Sequence, residues 1–132
     1  MSRQVTIPVV LSAVLLGTMA LSPSAFAGDV KAGKKVYNKC KACHEISKPK
    51  NKVGPHLVDI IGRKAAAVDG YKYSDAMQEK GAEGLIWNDE TLTAYLADPK
   101  AYVPKTKMVF PGLKKPEQIV DVIAYLKDKA ED

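Results

Sequence analysis

Cysteine is scarce in this chain, with two residues among 132, so no disulfide framework is available to brace a small fold. No run alternates polar and apolar residues in the manner of a half-buried strand, which sets sheet-based architectures aside. Internal repeats, low-complexity tracts and linker-like stretches are also missing, and the length accommodates one domain rather than two. Charge of one sign is only mildly in excess: 20 Lys+Arg face 15 Asp+Glu, a formal net charge of +5. That excess points towards an acidic partner or surface. It is too modest, with no recognition motif beside it, to indicate nucleic acid. What is present is an ordinary balance of 46% hydrophobic and 27% charged residues, with enough apolar material to disfavour disorder.

The one long hydrophobic run falls short of a membrane anchor. Arg3 supplies a positive start, residues 7–21 are almost uninterruptedly apolar, and Ala25-Phe26-Ala27 offers small residues at the two positions a signal peptidase inspects. An anchor needs about 18 or more apolar residues, whereas this run contains Pro8 and ends in Ser22-Pro23-Ser24. Residues 1–27 are therefore expected to be a cleaved signal peptide and residues 28–132 the exported domain, with a polypeptide charge of +4 once Arg3 is gone. In an oxidising compartment two neighbouring thiols are expected to pair.

The periodicity predicts a mainly helical domain. A first helix over residues 30–40 is capped by Asp29, with Gly33, Val36, Tyr37 and Cys40 on one face. Short helices follow at residues 74–80 and 89–97, the latter with Asn88 as cap and Asp98-Pro99 as stop. The last helix opens at Pro116 and buries Ile119, Val122, Ile123 and Leu126. Residues 47–73 and 100–115 read as long loops. So few short helices bury little apolar surface by themselves, and loops of that length imply function or something packed beneath them. A large apolar prosthetic group would supply the missing core.

Cys40-Lys41-Ala42-Cys43-His44 has the C-x-x-C-H pattern of c-type haem attachment. Two thiols at this spacing can both reach the vinyl edge of one porphyrin, and the following histidine is directed under the iron as proximal ligand. A thioredoxin-like reading needs a βαβ pattern, which is absent. A zinc reading needs four ligands; Cys40, Cys43, His44 and His56 reach that count at no familiar spacing. The second ring nitrogen of His44 needs a partner, and a carbonyl near Gly54-Pro55 is a candidate. For the opposite axial position the candidates are Met108, Met77 and His56. Met108, in a loop held between Pro104 and Pro111, is favoured; Met77 on a short helix reads more readily as a core filler. An iron closed by two protein ligands suits electron transfer, whereas an open one suits gas or peroxide chemistry.

At this point residues 28–132 resemble the class I c-type cytochromes, and among them the short bacterial cytochromes c2, relatives of mitochondrial cytochrome c. The resemblance rests on Gly28-Asp29-Val30 leading to Gly33 and Tyr37, on the C-K-A-C-H run, and on Val53-Gly54-Pro55 and Ile61-Gly62-Arg63-Lys64. It continues through residues 70–76, Trp87, Tyr95-Leu96, residues 98–102, Thr106-Lys107-Met108 and residues 121–126.

It implies an all-α class I cytochrome c fold of short helices and long loops around one haem c, attached through Cys40 and Cys43 and ligated by His44 and Met108. It further implies the Pro55 carbonyl as acceptor for His44, and Gly33 and Tyr37 against the last helix. Arg63, Tyr73 and Trp87 would surround a haem propionate, with Tyr95 and Thr106 beside Met108.

The implied activity is non-enzymatic: a monomeric periplasmic one-electron carrier. It would take electrons from a quinol–cytochrome c oxidoreductase and deliver them to a photosynthetic reaction centre or cytochrome oxidase. Lys39, Lys52, Lys100, Lys107, Lys114 and Lys115 match the family's docking ring around the exposed haem edge. Such a face speeds encounter with an acidic partner. Two positions depart from the common pattern. Lys105 stands where relatives often have Gly, and Met77 where they often have Asn.

Overall fold

The computed structural model describes residues 27–130. The expected signal peptide lies, apart from Ala27, outside the described residues. Among the described residues five helices follow one another: α1 (Val30–Tyr37), α2 (Asp75–Ala82), α3 (Asp89–Ala97), α4 (Pro99–Tyr102) and α5 (Pro116–Ala130). Among the described residues strand pairing is reduced to an isolated antiparallel bridge between Lys64 and Ile86.

Helices α1 to α4 start where a side chain can satisfy unpaired amides. The Asp29 carboxylate accepts from the Ala32 amide, and the Ser74 hydroxyl accepts from the Met77 amide. Asn88 and Thr91 form a reciprocal capping box. Helix α4 corrects the sequence reading, in which Asp98-Pro99 only stops a helix. Asp98 also caps a new one by accepting from the Ala101 amide, and Pro99 occupies the first turn, where its missing N–H costs nothing. Helix α1 ends three residues earlier than expected, and residues 38–43 continue it as turns.

Helices α1 and α5 make the main interhelical contact. Val36 and Tyr37 meet the α5 face formed by Ile119, Val122, Ile123, Tyr125 and Leu126, all of them buried. The Tyr37 and Tyr125 rings sit 5.3 Å apart and tilted. Gly33 lets the backbones touch: a β-carbon there would collide with the Asp121 carbonyl and come within 2.8 Å of the Tyr125 β-carbon. The Asp29 amide donates to the Asp121 carboxylate at 2.8 Å, fixing the start of α1 against α5. Lys127 and Asp89 pair at 2.6 Å between α5 and α3, an exposed contact of small energetic weight.

Tyr37 also carries a pH signature. Its hydroxyl donates to the His44 carbonyl at 3.1 Å, and burial, reinforced by nearby Cys40 and Glu45, pushes the phenol up to about 12. The neutral phenol is favoured in the fold, so this contribution is intact below pH ~10, the ordinary tyrosine value. It is lost as pH rises towards about 12. Tyr37→Phe is expected to cost about 1 kcal/mol at neutral pH and to flatten the decline in urea midpoint measured from pH 7 upward past pH ~10. Equal alkaline slopes for the two proteins would contradict this role.

Candidate functional site

The turns that follow α1 bring both cysteines to one wall. The Cys40 amide donates to the Tyr37 carbonyl at 2.8 Å, and the amides of Cys43 and His44 both donate to the Cys40 carbonyl at 3.0 Å. Cys40, Cys43 and His44 thereby line a single cavity of about 550 Å³, whose other walls include Met77, Trp87, Tyr95 and Met108. Both cysteines are free and half-buried, and burial pushes the Cys40 thiol up, opposed by Lys39.

A second segment is laid along the motif. The Gly54 amide donates to the Cys43 carbonyl at 2.8 Å and the Leu57 amide to the Glu45 carbonyl at 2.7 Å. Between them, His44 Nδ1 donates to the Pro55 carbonyl at 2.7 Å, as the resemblance implies. That bond fixes the ring and leaves Nε2 as the nitrogen available to a metal. Burial holds the imidazole below its ordinary value, with the Pro55 bond opposing, so the ring is neutral at pH 7, as metal ligation requires. Gly54 has a steric function beside the carbonyl-supplying one that the sequence suggested for Gly54-Pro55. A β-carbon at Gly54 would strike His44 Cε1 and lie 2.8 Å from Nδ1, so only glycine leaves the ring in place.

The other wall comes from the loop between α4 and α5. The Tyr95 hydroxyl donates to Met108 Sδ at 3.6 Å. Burial raises the Tyr95 phenol, opposed by the Thr106 hydroxyl, so the group stays protonated and able to donate. The Met108 amide donates to Thr106 Oγ1 at 3.3 Å. Lys107 ties this loop to the 70s segment, its ammonium donating to the carbonyls of Lys72 at 3.0 Å and Tyr73 at 3.4 Å.

Lys105 adopts the left-handed conformation at φ 65°, so the chain keeps the backbone a glycine would favour at a cost of about 1 kcal/mol. Of the three distal candidates, Met108 and Met77 line the cavity and His56 does not. His56 accepts at its carbonyl from Arg63 instead, at 2.9 Å.

Arg63, Tyr73 and Trp87 also line the cavity. The Arg63 guanidinium is held by the Val58 carbonyl at 2.8 Å, and the Tyr73 oxygen accepts from the Val68 amide at 3.2 Å. Trp87 packs against Tyr95 with centroids 5.0 Å apart.

The residues present fit a covalently held haem. The cavity is large and mostly apolar, two thiols stand at attachment spacing, a neutral imidazole has one nitrogen committed and one free, and a thioether faces the same space.

Fold and site together define a c-type cytochrome. A family model for cytochrome c matches residues 30–129, and the chain belongs to that family. It is 54% identical over 99 residues to cytochrome c2 of Afifella marina, covering 74% of this chain and 80% of that one. It is 49% identical over 106 residues to cytochrome c-550 of Nitrobacter winogradskyi, covering 80% and 94%. Among solved structures, cytochrome cH from Methylobacterium extorquens superimposes with a TM-score of 0.70 at 49% identity, covering 76% of this chain and 99% of that one. The protein is a bacterial c2-like class I cytochrome, an electron carrier with one covalently bound haem c and Cys40 and Cys43 at the attachment spacing.

Proposed function

We propose that Cys40 and Cys43 carry the haem, that His44 and Met108 are its axial ligands, and that the carrier works in the periplasm after cleavage behind Ala27. The observation that carries the ligand assignment is the presence of all four side chains on one cavity. When bound, the haem supplies a one-electron couple, and a thioether ligand raises its potential. The chain's own residues do the rest. Pro55 holds His44 in one orientation, Tyr95 donates to the Met108 sulfur, and apolar walls exclude water. With both axial positions filled by the protein, small ligands are kept out, which favours carriage of electrons over chemistry on a substrate.

The donor in this reading is a quinol–cytochrome c oxidoreductase, and the acceptor a reaction centre or cytochrome oxidase. Docking is through the lysine face of Lys39, Lys52, Lys100, Lys107, Lys114 and Lys115. Val53 and Val109, 76% and 86% exposed, add apolar surface at the cavity rim. The six lysines are not equivalent. Lys107 donates to the carbonyls of Lys72 and Tyr73, and Lys114 to those of Ala97 and Pro111. Among the described residues Lys100 and Lys115 hold no such bond, which leaves their ammonium groups to meet an acidic partner. Lys100→Glu with Lys115→Glu is expected to slow the second-order reaction with either membrane complex severalfold at low salt, the gap closing as ionic strength rises. An effect independent of salt would contradict this docking face.

A further inference from the structure

Lys52, assigned by resemblance to the docking ring, lies at the surface with its ammonium folded back onto its own chain, donating to the Lys41 carbonyl between the two cysteines. That carbonyl belongs to the turns that follow α1, where no regular ladder supplies donors. The Cys40 carbonyl is taken by two amides of the same stretch. The next segment supplies two further donors: the Gly54 amide for Cys43 and the Lys52 ammonium for Lys41. The donor is itself held in place. The Lys52 amide donates to the Gly54 carbonyl at 2.9 Å, and the Tyr71 hydroxyl donates to the neighbouring Val53 carbonyl at 2.9 Å.

We propose that Lys52 is a positioning residue for haem attachment, a cap delivered from the following loop that holds the Cys40–Cys43 turn with both thiols facing the cavity. In attachment each thiol S–H adds across one vinyl double bond, forming one C–S and one C–H bond, with no net oxidation and nothing released. Both additions need the sulfurs at a fixed separation. An uncapped turn at Lys41 loosens the relation between Cys40 and Cys43 while leaving Gly54 and Pro55 to hold His44. The inference rests on the haem reading above, and wild-type protein separates the two: haem covalently bound to wild type upholds that reading whatever Lys52 does.

The test expresses the full chain in a host with c-type haem attachment machinery, as wild type, Lys52→Met and Lys52→Arg. Methionine keeps the apolar stem and removes the donor; arginine keeps charge and donor. Covalent haem per exported chain is measured, together with thiols that iodoacetamide alkylates in the haem-bearing fraction. Lys52→Met is expected to give severalfold less covalent haem and a haem-bearing fraction with one alkylatable thiol, and Lys52→Arg to restore both. Wild-type haem content and no alkylatable thiol in Lys52→Met would overturn the proposal. So would a Lys52→Met protein whose sole defect is a salt-dependent loss of rate with a redox partner, since that is the signature of a docking lysine.

Discussion

Met108→Ala is expected to keep its haem and lose its potential. The proposed attachment residues, Cys40 and Cys43, stand on the turns after α1, whereas Met108 comes from the separate loop between α4 and α5. Removing the thioether therefore leaves haem content near wild type. Axial-ligand identity moves haem potentials over a range of roughly 0.8 V, so a fall on the order of 0.1 V or more is expected. The variant should also bind exogenous imidazole or azide at the opened position. Met77 lines the same cavity, which makes Met77→Leu the control: its potential should stay close to wild type. A Met108→Ala protein with unchanged potential and no affinity for added ligands would remove Met108 from the ligand set.

Gly33→Ala is expected to be the most destabilising single-methyl change in the α1–α5 contact. Alanine is the better helix former by about 1 kcal/mol, so an exposed glycine would gain from the change. At Gly33 the added carbon meets the Asp121 backbone carbonyl and lies 2.8 Å from the Tyr125 β-carbon, and backbone cannot move aside as a flexible side chain can. Overpacking of this kind costs about 1–3 kcal/mol, and a rigid neighbour puts the net loss at about 2 kcal/mol. For a domain of this size that is a fall in Tm of roughly 10 °C. The absorption spectrum should be unaltered, because Gly33 is not among the residues lining the cavity. Thermal melts of Gly33→Ala beside exposed Lys34→Ala check it, and a Gly33→Ala midpoint equal to wild type would mean that the helices cross elsewhere.

Local chemistry made much of this fold legible in the sequence. Asn88 before an apolar-periodic run and Asp98-Pro99 after it gave α3 its bounds, and Pro116 gave α5 its start. The spacing from Cys40 to His44 declares its chemistry without any tertiary information. What the sequence hid was long-range. Asp98-Pro99 carries the same letters whether it stops one helix or caps the next, and the Leu113 amide on the Leu96 carbonyl at 2.7 Å is a contact no periodicity announces. Gly54-Pro55 reads as a source of a carbonyl for His44, but the need for glycine itself shows only when the ring is seen against it. Lysines are the hardest case. Lys52, Lys107 and Lys114 look like solvated charge, yet each ammonium is spent on backbone carbonyls.

The pairing of His44 with Met108 is the central claim, and the ferric absorption spectrum of the purified wild-type protein tests it most directly. A thioether bound to ferric low-spin haem gives a weak far-red charge-transfer band that bis-imidazole and open-site haems lack. That band is predicted to be present at neutral pH and to vanish in Met108→Ala. A wild-type ferric spectrum without it, or with the features of high-spin iron, would contradict the assignment and favour a protein whose iron is open to small ligands.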